Sequence, residues 1–175
     1  MFKSKIVAAM IVGLAMSIAT LAPAWSQVQD DYLIVPYVRI GAISLGMSDK
    51  DMFKLGIPIQ TGAFPSQTLY RYQNITVFVD NNSHQVVSVM VQGDNKYHTA
   101  DGLRIGSSSL RDVEASFGPP DQYNRSPVEC CDPVGVFYQS HRLAFEFSPA
   151  GSSMADRPKT TVQGIGIQSA GAADF

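Results

Sequence analysis

The same run of residue types occurs twice in this chain, and it limits the fold more than any other feature. One copy is ISLGMSDKDMFKLGIP, Ile43 to Pro58, and the other is LRIGSSSLRDVEASFGPP, Leu103 to Pro120. Each opens on an apolar-x-apolar-Gly strand end and continues as Ser-x-x-Asp, Ser48 to Asp51 and Ser109 to Asp112. Each then closes on an apolar residue, a glycine and a proline. A serine N-cap accepts a backbone N–H left unpaired by the first turn, and the aspartate reaches back to it at the positive helix end. Glycine accommodates the left-handed conformation that ends a helix, and proline prevents resumption. The pattern predicts two helices of about two to three turns, too short to be stable unless they dock on something.

Strand-like sequence follows each helix. After the first come TLYRYQN, ITVFVD and QVVSVMVQ; after the second come DQYNRS, VGVFYQS, RLAFEFS and TVQGIGIQ. Ile75, Val77 and Val79 alternate with Thr76, Phe78 and Asp80, and Leu143, Phe145 and Phe147 with Ala144 and Glu146, the period of half-buried antiparallel strands. The expected class is α+β. It consists of two tandem units of a short helix plus three or four antiparallel strands, joined in one sheet or packed side by side. The expected units are residues 40–97 and 103–168, with a linker at 98–102, an N-terminal extension at 25–39 and a tail at 169–175.

Residues 1–24 read as a signal peptide. Lys3 and Lys5 precede an uncharged apolar run from Ile6 to Leu21, and Ala22-Pro23-Ala24 fits a small-x-small cleavage site. Cleavage is expected after Ala24 or after Ser26. Loss of Lys3 and Lys5 leaves 11 basic against 15 acidic residues, a net charge of −4 with histidines neutral. No basic run remains, which argues against nucleic-acid binding, where clustered cations must displace counterions. No later segment is apolar and long enough to span a membrane. The expected location is periplasmic or secreted.

The duplicated unit resembles the fold shared by the β-lactamase inhibitor protein and the small outer-membrane assembly lipoproteins of the SmpA/OmlA type. The likeness covers most of Ile40 to Gln168. It implies layered α+β units and protein binding rather than catalysis. Two departures limit it: there is no lipobox cysteine, and the widely spaced cysteines that staple the inhibitor's repeats are missing.

Candidate chemistry is sparse. Cys130 and Cys131 are adjacent in Glu129-Cys130-Cys131-Asp132, and exported thiols meet oxidising conditions. Neighbouring Cα atoms lie about 3.8 Å apart, below the usual disulfide span of about 4.4–6.8 Å, so a bridge between them would be strained and readily reduced. They are candidates for a structural link, a redox pair or an intermolecular bridge. A zinc site with His141 has the wrong cysteine spacing, and Asp94, His98 and Asp101 lack EF-hand spacing. Ser107 to Ser109 has neither a nucleophile elbow nor a partner base nearby, so the run is read as a cap and no catalytic residue is assigned. No cofactor fingerprint or metal motif occurs.

Tyr70 and Tyr72 share one face of their strand, opposite Leu69 and Arg71. They are binding candidates if the leucine side is buried and core-packing residues if it is not. The reading that follows is a non-enzymatic binding or assembly module of the bacterial envelope with a protein partner. Its alternative is a small exported redox protein or enzyme using Cys130 and Cys131.

Overall fold

The computed structural model describes residues 32–125, 133–147 and 161–170. The segment expected to be a signal peptide, with its cleavage positions, and Cys130 and Cys131 lie outside these residues. The described chain runs β1 (Leu33–Val35), β2 (Arg39–Ile40), β3 (Ile43–Ser44), α1 (Asp49–Phe53), β4 (Gln60–Ala63), β5 (Gln67–Arg71), β6 (Ile75–Asp80), β7 (Val86–Gln92) and β8 (His98–Thr99). It continues with α2 (Leu110–Phe117), β9 (Gln122–Arg125), β10 (Pro133–Tyr138), β11 (Leu143–Phe147) and β12 (Val162–Gln168).

The local grammar forms as its chemistry requires. Ser48 and Ser109 cap α1 and α2, and Ser109 with Asp112 closes a full capping box. Gly46 and Gly106, one strand end before each cap, hold φ of +78° and +80°, a backbone region that strains any residue with a Cβ. Each helix presses one side chain into the core, Met52 from α1 and Val113 from α2, both fully buried.

The expected class of two helix-plus-strand units is corrected by this structure. Among the described residues strand makes up 47% and helix 11%, so this part of the protein is mostly β. Helices of five and eight residues are too short to form a layer of their own. The strands form two sheets. An eight-stranded sheet runs β4-β5-β6-β7-β12-β11-β10-β9, every neighbour antiparallel. A four-stranded sheet runs β3-β2-β1-β8, in which β1 pairs β8 in parallel. That smaller sheet draws on residues read as extension (β1) and as linker (β8). Capping residues mark where a helix starts, but they say nothing about what the helix covers, and short polar-flanked strands such as His98–Thr99 carry no alternation to read.

The two faces of the large sheet differ. Cross-strand register puts Val77, Val89, Ile167 and Leu143 in one row, and Ile75, Val91, Ile165, Phe145 and Val136 in the next. This face packs against the helices and the small sheet, whose Ile34 and Ile40 are fully buried with it in one core. Phe117 of α2 seals the far end against Tyr138, His141 and Phe145, with ring centres 5.2–5.8 Å apart. The opposite face carries the alternate residues. One row reads Gln92, Gly164, Glu146, Gly135, Asn124, and the next reads Met90, Gly166, Ala144, Phe137, Gln122.

Candidate functional site

Large apolar side chains left in water are informative when they cluster. Eight are exposed among the described residues, and five of them, Phe53, Leu55, Ile57, Ile59 and Phe64, fall within one short stretch. Ile57 is 89% exposed and Ile59 73%. The stretch leaves the end of α1, turns at Gly56 and Pro58, and enters β4. Strand β4 is an edge of the eight-stranded sheet, bonded to β5 on one side only among the described residues. Its sequence, Gln60-Thr61-Gly62-Ala63, holds no charge and no proline, the devices that usually blunt an edge.

Local chemistry fixes this corner. The Ile59 backbone N–H donates to the Arg71 carbonyl at 2.7 Å, so pairing with β5 begins before β4 proper. Phe64 N–H donates to the Gln67 carbonyl at 2.8 Å and closes the turn. Asn81 stiffens that turn: its Nδ2 donates to the Phe64 carbonyl at 3.0 Å, and its Oδ1 accepts from the Thr68 hydroxyl at 2.7 Å. On α1, Lys54 Nζ donates to Asp51 Oδ1 at 2.6 Å and, with the Ser48 hydroxyl, holds that carboxyl below its ordinary range.

Tyr70 and Tyr72 lie directly beneath this corner. Tyr70 pairs with Val77 across β6, which puts both tyrosines on the helix-side face and Leu69 on the other. The condition under which they would project outward is therefore not met; both are half-buried and pack against the core. The Tyr70 ring meets Phe53 edge-on at 5.1 Å, and a side chain built on Gly56 would touch the Tyr72 ring at 4.0 Å. Burial, then the neighbouring Tyr70, pushes the Tyr72 phenol up. The two tyrosines form the floor on which Phe53 and the 54–59 turn rest. The exposed residues above them escape sequence reading, since Leu55, Gly56 and Pro58 read as a helix stop. The alternation Phe53-x-Leu55-x-Ile57-x-Ile59 running on past that stop is the signal that marks them.

Other polar candidates are occupied by local structure. Asp94 accepts from Lys96 N–H at 3.1 Å, and His98 Nδ1 lies 3.1 Å from the Lys96 carbonyl, so both shape their own loop. His84 Nδ1 sits 3.1 Å from Asp49 Oδ2 at the start of α1. His141 packs on Phe117 and lies 2.9 Å from the Ser140 hydroxyl. Among the described residues, no three His, Cys, Asp or Glu side chains gather to hold a metal ion. No helix there is long and apolar enough to cross a membrane.

Comparison with known proteins places the chain in no family. No family model matches it, and no curated protein matches it. Among solved structures it is similar to a cysteine-rich secretory protein from Staphylococcus aureus, at 14% identity and a TM-score of 0.42. The match covers 77% of this chain and 48% of that structure, so the chain spans about half its length. The resemblance to the β-lactamase inhibitor protein and SmpA/OmlA lipoproteins is corrected by the sheets themselves: one of eight strands and one of four, not two such repeats. Its motif was assembled from capping and helix-stopping residues, which unrelated folds need equally.

Proposed function

We propose that this chain is an exported, non-enzymatic protein-binding module of the bacterial envelope, periplasmic or secreted, and that it engages a protein partner at the α1–β4 corner. The observation that carries this reading is the run of four exposed apolar side chains, Phe53, Leu55, Ile57 and Ile59, leading into an unguarded edge strand. An edge offers a row of main-chain donors and acceptors to an incoming extended segment, and the adjacent apolar side chains supply buried area once it docks. The rigid base formed by Tyr70, Tyr72 and the Asn81-braced turn keeps this surface ordered before the partner arrives.

The test is site-specific photocrosslinking in the native envelope fraction without reductant, with the probe at Ile57 or Ile59 and, as control, at exposed Asp101. One partner is expected from both corner positions and none from Asp101, with capture unchanged in Cys130→Ser/Cys131→Ser. Equal capture from Asp101, or none from the corner, sinks the proposal. Capture lost in the cysteine double variant transfers the function to the cysteine pair.

A further inference from the structure

The face of the large sheet turned away from the helices holds a feature that protein docking at the β4 edge does not use. At the centre of its two rows stand Gly164, Gly166, Gly135 and Ala144, all small. Of these, Gly135 and Ala144 line a trough of about 530 Å³, bordered by Gln122, Asn124, Phe137, Gln163 and Gln168. That volume falls in the range of small-ligand sites. A second hollow of about 390 Å³ shares Gln163 and extends over Gln92 and Thr76 to Arg71. Together they cross the sheet from β5 to β9, six strand-to-strand steps, or roughly 29 Å at about 4.8 Å each.

Two observations point to an occupant. Gln168 is only 5% exposed, and its Oε1 has no hydrogen-bond partner among the described residues. Ser88, its direct neighbour across the β7–β12 pair, is equally buried with an unpartnered hydroxyl. Buried polar atoms are nearly always satisfied, so an orphaned pair at the end of a trough marks a place for a missing group. Gly164 also has a specific task. A Cβ there would lie 2.9 Å from Glu146 Oε2 and 3.0 Å from Gln92 Cγ. Its absence lets Gln92 Nε2 donate to Glu146 Oε2 over the intervening strand, bracing the middle of the track.

We propose that this trough binds a neutral polyhydroxylated ligand, a saccharide chain laid across the strands. A carboxamide presents donors and an acceptor in one plane, which matches adjacent hydroxyls that each donate and accept. Phe137 adds an apolar ring to the lining, a surface on which the C–H face of a sugar packs. Glu146 is engaged by Gln92, and among the described residues the track carries one cation, Arg71, at one end rather than a cationic cluster for a polyanion. The backbone groups of these central strands are spent in the sheet ladders, so a peptide finds no main-chain pairing here. This site is separate from the α1–β4 corner and does not depend on the protein-binding reading.

The test is NMR titration of the folded chain with cellohexaose, with chitohexaose and with an extended Thr-Val hexapeptide. At least one sugar is expected to shift the side-chain amides of Gln122, Asn124, Gln163 and Gln168 saturably. Phe137→Ala and the exposed Gln122→Ala are expected to weaken it by roughly tenfold, the loss of one good contact, while Ile59→Lys leaves it unchanged. Two results overturn the inference: no saturable shift with either sugar at millimolar concentration, or shifts of this residue set by the peptide instead. Both readouts are independent of partner capture at the β4 edge, so either proposal can fail alone.

Discussion

Ser109 and Asp112 show how much a single pair decides locally. The Asp112 carboxylate accepts from the Ser109 backbone N–H at 2.8 Å and from its hydroxyl at 2.8 Å, and these bonds, the backbone one foremost, hold its pKa below the ordinary value. Ser109→Ala is expected to cost about 1 kcal/mol, read as a lower urea midpoint. A carboxyl whose folded pKa is depressed stabilises the fold above its unfolded value, near pH 4, and that stability is lost as pH falls through the folded value. Asp112→Asn should therefore flatten the decline in urea midpoint below about pH 4; an unchanged slope would show that the box does not contribute. Gly164 is the other residue with a sharp outcome. Gly164→Val forces a side chain against the Val91 carbonyl, 3.2 Å from the Cβ position, and against the Gln92–Glu146 bridge. It should destabilise by about 1–3 kcal/mol in the same urea assay.

At the scale of elements, α1 and β4 divide what the sequence reveals from what it hides. The cap at Ser48 was legible, because a helix start is set by neighbours a few residues away, but α1 ends at Phe53, ahead of the expected stop at Gly56 and Pro58. The period of β5 was also legible, but whether Tyr70 or Leu69 faces the core was not. Parity assigns residues to faces; only the position of α1 decides which face is covered. Ile57 and Ile59 read as ordinary apolar residues, and their exposure follows from β4 being an edge. Ile59→Lys removes little packing, so its thermal midpoint should correspond to a change within about 0.5 kcal/mol. The same variant should abolish crosslinking from Ile57. A variant that unfolds instead would show that Ile59 is core, against its exposure.

At the scale of the whole molecule, the decisive contact is β7 with β12. Five aligned residue pairs, from Gln92↔Gly164 to Ser88↔Gln168, join strands far apart in sequence into one sheet. Ile165 sits in this seam fully buried. Ile165→Ala should cost about 2–5 kcal/mol and lower amide-exchange protection together in β6 and β11. Protection lost in β11 alone would mean that the two halves are independent units. Strand alternation, helix capping and a globular balance of apolar and polar residues could be read from the chain because each depends on local geometry. The merging of eight strands, the recruitment of residues 33–44 and 98–99 into a second sheet, the exposed β4 corner and the glycine-floored trough could not. They arise from which strands become neighbours, and that choice is settled by the burial of the shared core as a whole.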